Sequence, residues 1–186
     1  MSQDKTEEIK RINKVADMLV SCHIRLKEKY ISYSFMVDVS MFVVSVFLCV
    51  FAFSSDDILA KYLGEHFKFL LGIFSIGTFV MAYCADKFNW KIRAEQHRQA
   101  AEKYFEFKAD SKNILNSLNS GGAPNVDIFI EKYNSVANTL VTIPERDFLK
   151  CKQHHLSKVE ISRWLDEHPG GSILIFKIKR FFRDNK

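Results

Sequence analysis

The chain lacks the residue patterns on which most enzyme and metal chemistry is built. Its four cysteines, Cys22, Cys49, Cys84 and Cys151, stand far apart and form no CxxC pair, which argues against a disulfide framework or a zinc site. Its seven glycines include no GxGxxG or GxxxxGKS-type run, so no loop is built to cradle a phosphate with backbone amides. Those glycines read instead as turns. Cys151, His154 and His155 form a CxxHH cluster, but a metal needs more ligands than these and none stands at a suitable spacing nearby. A solvated helix face is the simpler reading. No Ser or Cys lies in a recognisable nucleophile motif. The expectation is therefore of a protein that is not an enzyme, with no catalytic, cofactor-binding or metal-binding residues and no cofactor. Residues 1–37 are charged and polar, so no cleavable signal peptide is expected.

What is present is a sharp segregation of apolar residues. The mean hydropathy is that of an ordinary soluble domain, yet the apolar residues concentrate at 39–53 and 69–85, flanked by Lys, Arg, Glu and Asn. Phenylalanine occurs 17 times against 2 tryptophans, and nine of the 17 fall between Phe35 and Phe79. Bulky apolar side chains so clustered suit a lipid-facing surface better than an evenly filled soluble core. The formal net charge of +5 raises nucleic acid as a partner, but the basic residues flank the apolar blocks, where they would meet anionic headgroups. The bilayer, and not DNA, is the expected partner.

A helix needs roughly 17 to 25 apolar residues to cross the hydrocarbon core. Residues 33–54 carry one charge, Asp38, and residues 67–85 carry only Lys68 near one end. Burying two such helices inside a soluble core would require more flanking apolar surface than the chain supplies. Lys and Arg decide orientation. Lys10, Arg11, Lys14, Arg25, Lys27 and Lys29 precede the first block, and Lys87, Lys91, Arg93, Arg98 and Lys103 follow the second, whereas the connecting segment SSDDILAKYLGEH holds only Lys61. Both termini are expected on the cytoplasmic side of a multi-pass protein. The expected plan is a cytoplasmic helix over 1–36, transmembrane helices over 37–54 and 67–85 joined by an external turn at 55–66, and a cytoplasmic helical region over 86–186.

Within the blocks, small and polar residues share one face each. Asp38, Ser45 and Ala52 recur every seven residues with Cys49 between them, and Ser75, Thr78, Ala82 and Ala85 follow a three-four-three spacing. Such faces let helices approach closely. They read as the packing seam of a hairpin or, alternatively, as the lining of a water-filled path in a homo-oligomer. Asp38 favours the second reading because an intramembrane carboxylate is costly and functional by default. Its place near the cytoplasmic end fits equally an interfacial ion pair with Lys87.

Outside the blocks a heptad seam runs through Ile9, Ile12, Ala16, Leu19, His23, Leu26, Tyr30, Tyr33 and Val37 and continues unbroken into the membrane segment. The same spacing recurs at Trp90, Ala94, His97, Ala101, Tyr104, Lys108, Ser111, Leu115 and Leu118. Each membrane helix is thus expected to be half of a long rod, the two rods running antiparallel with His23 and His97 on facing seams. These histidines read as packed and hydrogen-bonded, or else as a protonation-sensitive contact. Gly121, Gly122 and Pro124 end the second rod; helices are expected over 126–142 and 145–167, with the HPGG turn stopping the latter. The tail SILIFKIKRFFRDNK mixes apolar residues with Lys177, Lys179, Arg180 and Arg183. It reads as an interfacial helix or as a strand or helix packed on the bundle. The fold class is an all-α membrane protein: a two-transmembrane helical hairpin extended into long antiparallel cytoplasmic helices, with additional short C-terminal cytoplasmic helices.

This order of parts, with FNWKIRAEQHRQAAEKYFEF at 88–107 and TIPERDF at 142–148, resembles the SLATT superfamily of small bacterial two-helix membrane effectors over nearly the whole chain. Trp90, Arg93, Ala94, His97, Ala101 and Tyr104 carry the most specific part of the likeness. The resemblance implies a pore-forming or membrane-disrupting effector of antiphage, abortive-infection defence in the bacterial inner membrane. It would be encoded with a sensor such as a nucleotidyltransferase or reverse transcriptase, and be triggered by that partner or by a nucleotide second messenger. The alternative is a non-conducting anchor or scaffold that recruits a partner through its cytoplasmic helices.

Overall fold

The structure, a computed structural model, describes residues 2–53 and 67–184. The expected external turn at 55–66 lies outside the described residues. Among the described residues six helices follow one another: α1 (Ser2–Phe53), α2 (Phe67–Phe88), α3 (Trp90–Asn119), α4 (Val126–Ala137), α5 (Glu145–Glu167) and α6 (Ile173–Asp184). No strand occurs among the described residues. Both α1 and the α2–α3 stretch contain segments long and apolar enough to cross a membrane.

The boundaries follow from local chemistry. α1 runs 52 residues without interruption, as a seam free of proline and glycine allows. The second rod is not continuous. Asn89 adopts a left-handed backbone (φ 49°) between α2 and α3, a conformation that asparagine tolerates better than most side chains. α3 stops where Gly121 takes φ 82° and the Gly122 amide turns back to the Ser117 carbonyl at 2.9 Å, a glycine-terminated helix end. α4 begins with the Asn125 side chain accepting from the Ile128 amide at 3.3 Å. It ends at Ala137, five residues before the expected limit of 142, because Asn138 and Thr139 bond back to the Asn134 and Val136 carbonyls. α5 spans the expected residues and ends at the HPGG turn. The tail is a helix rather than a strand.

The chain divides into two compact units. The first comprises Met1–Arg25 and Gln99–Lys186. Its core is built on Ile12, Tyr104, Phe107, Phe129 and Tyr133, with Leu19, Val20, Ile114 and Val136 packed around them. Phe107 meets the edges of Phe129 (6.2 Å between centroids) and Tyr133 (5.3 Å) in T-shaped contacts, the geometry the ring quadrupoles favour. Here α1 and α3 run antiparallel: Asn13 bonds Ser111, Asp17 pairs with Lys108 and His23 stacks on Tyr104. α4 covers α3 through Phe129 and Tyr133, and α5 lies on α1.

The second unit, Leu26–Arg98, is of a different kind. Leu26, Ser34, Ala94 and His97 are buried, but the large apolar residues of the two blocks are exposed, among them Phe35, Phe42, Phe47, Phe69, Phe74 and Phe79. No residue of the most apolar window of either stretch is buried.

Candidate functional site

The expected cytoplasmic seam is assembled from α1 and α3. On α1 the buried positions are Ile9, Ile12, Ala16, Cys22, His23, Leu26 and Ser34, and on α3 they are Ala94, His97, Ala100, Ala101, Tyr104, Phe107 and Ser111. His23 and Tyr104, in the first unit, stack at 5.5 Å with planes 16° apart. Tyr30 and His97, in the second, stack at 5.6 Å with planes 3° apart. Each histidine therefore faces a tyrosine of the opposite helix, and the two stacks are related by seven-residue steps along both helices, from His23 to Tyr30 and from His97 to Tyr104. Trp90 is half-buried and meets Tyr33 edge-on at 6.3 Å and Phe88 face-on at 5.3 Å. Arg93 lies on the exposed side of α3, away from the positions that pack.

Polar groups inside the first unit are tied to one another. Asn13 donates to the Ser111 hydroxyl (2.6 Å) and to the Lys108 carbonyl (3.2 Å). Lys108 in turn forms an ion pair with Asp17. No buried side-chain nitrogen or oxygen among the described residues lacks a partner, as a well-formed polar network requires. Burial raises the Tyr104 and Tyr133 phenols above their ordinary values, so both remain neutral donors at physiological pH.

The CxxHH cluster of α5 is a packing face. Cys151 is buried against α1, its thiol 4.0 Å from the Cys22 carbonyl. The His155 ring lies 3.1 Å from the Ser21 hydroxyl, while His154 is exposed. Desolvation, with the neighbouring Cys151 adding to it, pushes the Cys22 thiol up to about 12. Both cysteines are free thiols, and Cys22 is held in its unreactive protonated form. No group of three or more His, Cys, Asp or Glu side chains among the described residues is arranged to hold a metal.

In the second unit Asp38 pairs with Lys91 at 2.9 Å rather than with Lys87, whose ammonium lies 5.5 Å over the Tyr83 ring. The half-covered stripe of α1 in its apolar stretch is Val37, Ser40, Met41, Val44, Leu48 and Phe51, while Asp38, Ser45 and Cys49 sit on exposed positions. Ser45 donates to the Met41 carbonyl and Thr78 to the Phe74 carbonyl, each at 2.8 Å. On α2, Thr78 and Ala82 are half-covered and Ser75 is exposed. The expected small-residue face is therefore split: Thr78 and Ala82 share the more covered side of α2 with Leu71 and Ala85, whereas Asp38, Ser45, Cys49 and Ser75 are turned outward.

A shallow cleft of about 340 Å³ lies within the second unit, lined by Lys27, Ile31, Phe35, Asp38, Lys91 and Arg98 among others. Within it Lys91 pairs with Asp38 and Arg98 with Glu95. What the molecule offers chemically is an interaction surface, with aromatic stacks and a polar network inside and long apolar faces outside. Compared with known protein families, with characterised proteins and with solved structures, the chain matches none.

Proposed function

We propose that the protein is a multi-pass inner-membrane effector of the SLATT type, with both termini cytoplasmic, in which α1 and α2 cross the bilayer and the α1–α3 seam transmits an activating signal to them. The observation that supports it is that no residue in the most apolar window of either stretch is buried. A helix of that composition in a soluble core would be covered on all sides. Left in water, Phe42, Phe47, Phe74, Phe79 and their neighbours would form a patch far larger than soluble monomers carry. Lipid is the solvent that accommodates them.

In this reading the protein carries out no catalysis. The outward-turned Asp38, Ser45, Cys49 and Ser75 are the positions at which further copies would pack, since small and polar side chains permit close helix approach in lipid. A co-encoded sensor or its nucleotide product would shift the α1–α3 seam between two packings, and oligomerisation would then open or disrupt the membrane. Inducible expression in bacteria loaded with a potential-sensitive dye tests this directly. Depolarisation should precede growth arrest, and Ser45→Leu with Ser75→Leu should suppress both. Growth arrest at full membrane potential would overturn the pore and leave the anchor or scaffold reading. That reading has its own signature, full function after the apolar blocks are exchanged for an unrelated hairpin.

A further inference from the structure

α6 is attached to the first unit by the wrong side for a soluble amphipathic helix. Among its described side chains the buried one is Phe176, which packs 5.1 Å from the Trp164 ring of α5. The joint is tight. His168 stacks on the same indole at 5.1 Å, and a Cβ at Gly171 would come within 2.1 Å of the Trp164 ring, so the turn closes around the tryptophan only with glycine there. At about 100° per residue, Leu174 and Ile178 each point about 160° away from Phe176. Leu174, Ile175, Ile178 and Phe182 are all exposed, at 66%, 52%, 49% and 67%. The apolar face is thus directed outward while one aromatic on the other side holds the helix in place.

We infer that α6 is a docking helix for an anionic bilayer surface, an inference that rests on the membrane reading above. The charge selects the occupant. The segment carries Lys177, Lys179, Arg180 and Arg183 against a single acid, Asp184. A second copy of α6 would bring two sets of like charge together, whereas an anionic leaflet takes up the cations at its headgroups and the apolar face at its acyl boundary. The docked helix would couple leaflet charge to the α5 end of the bundle through Trp164.

The test uses the full chain in nanodiscs, with Cys49→Ser and Cys84→Ser, because Cys22 and Cys151 are buried and stay unlabelled. A nitroxide on Ile178→Cys should collide more with oxygen than with a water-soluble nickel chelate in phosphatidylglycerol-containing discs, and the reverse should hold in pure phosphatidylcholine. Lys177→Glu with Lys179→Glu should lower docking about fivefold per cation removed. A parallel label at Val46→Cys separates the two ways to fail. Lipid-like accessibility at 46 with water-like accessibility at 178 in anionic discs overturns the inference alone; water-like accessibility at both overturns the membrane reading with it. Shielding of position 178 from both reagents, with dipolar broadening for a second copy or without it for the chain's own bundle, also overturns the proposal.

Discussion

α1 is one uninterrupted helix with two surfaces. In its first half Ile9, Ile12, Ala16 and Cys22 are fully covered by other helices. In its second half Phe35 and Phe42 are 65% and 70% exposed. The backbone is the same throughout, so the difference lies in the side chains around the seam. The first half alternates its apolar stripe with charged residues that stay in water, which leaves one face to bury. The second half carries apolar residues on nearly every side, and none of those in its most apolar window is buried. The first half thus obtains its stability from protein packing, while the second is long and apolar enough to cross a membrane; in the function proposed above, lipid takes the place of that packing.

That comparison can be broken most forcefully with one residue type in both environments. Phe107→Ala in the first unit, where the side chain is 3% exposed, should lower unfolding free energy by about 3–5 kcal/mol, measured by urea melts of the detergent-solubilised protein. Phe47→Ala should change the same melt by less than about 0.5 kcal/mol. Equal losses would mean that the apolar stretch is packed against protein after all.

The next test reverses the solvent. Val46→Arg should disfavour membrane insertion by about 2.5–3.5 kcal/mol, read as a fall in the inserted fraction in a glycosylation-mapped insertion assay, whereas Glu102→Arg on the exposed face of α3 should leave insertion unchanged. Full insertion of the Val46→Arg chain would remove lipid as the solvent of α1.

A third sharpens the first unit by pH. The Cys22 thiol is raised from 9.0 to about 12 in the folded chain, and Tyr104 and Tyr133 are raised as well. Between these values the folded state holds a proton that the unfolded state has lost, so stability is full below about pH 9 and declines as pH rises toward 12. One such group contributes a slope of at most about 1.4 kcal/mol per pH unit. Cys22→Ala should flatten the decline of the urea midpoint across that window, and an unchanged slope would place the alkaline loss elsewhere.

Smaller effects belong to the surface of the first unit. Asn125→Ala removes the cap of α4 and should cost about 1 kcal/mol. Lys5→Glu, which breaks an exposed 2.7 Å pair with Asp127, should cost less than about 1 kcal/mol, and that loss should shrink further in high salt.

Periodicity made much of this readable in advance. Steps of three and four mark Ile9, Ile12, Ala16, Leu26, Ala94, His97, Ala101, Tyr104 and Ser111 as one-sided, and all of them are buried. The phase drifts toward the ends. Lys108 is only half-covered, while Phe107, one residue earlier, takes the core position, because α4 brings Phe129 and Tyr133 to that side of α3. A stripe read from two helices cannot register a third. Likewise Tyr33 was the expected seam residue, yet Ser34 is the buried one, since a straight helix drifts about 20° per heptad against a strict seven-residue repeat. Arg93 falls outside the packed set for want of any apolar character to hold it there.

Asp38 shows the division of labour most plainly. Its charge near the end of an apolar run is written in the sequence, and so is the presence of basic residues in the returning segment. Which of them it meets depends on Asn89, whose left-handed step separates Lys87 on α2 from Lys91 on α3. The sequence by itself determined where the helices lie, which stretches are long and apolar enough to cross a membrane and which face of α1 and α3 is buried, because these depend on local side-chain chemistry repeated at the helical period. Tertiary structure decided the partners: tyrosine rather than histidine across each seam, Cys22 against Cys151, and Phe176 turned onto Trp164 with the apolar face of α6 left outward. Those choices depend on contacts between residues far apart in the chain, whose geometry no local periodicity encodes.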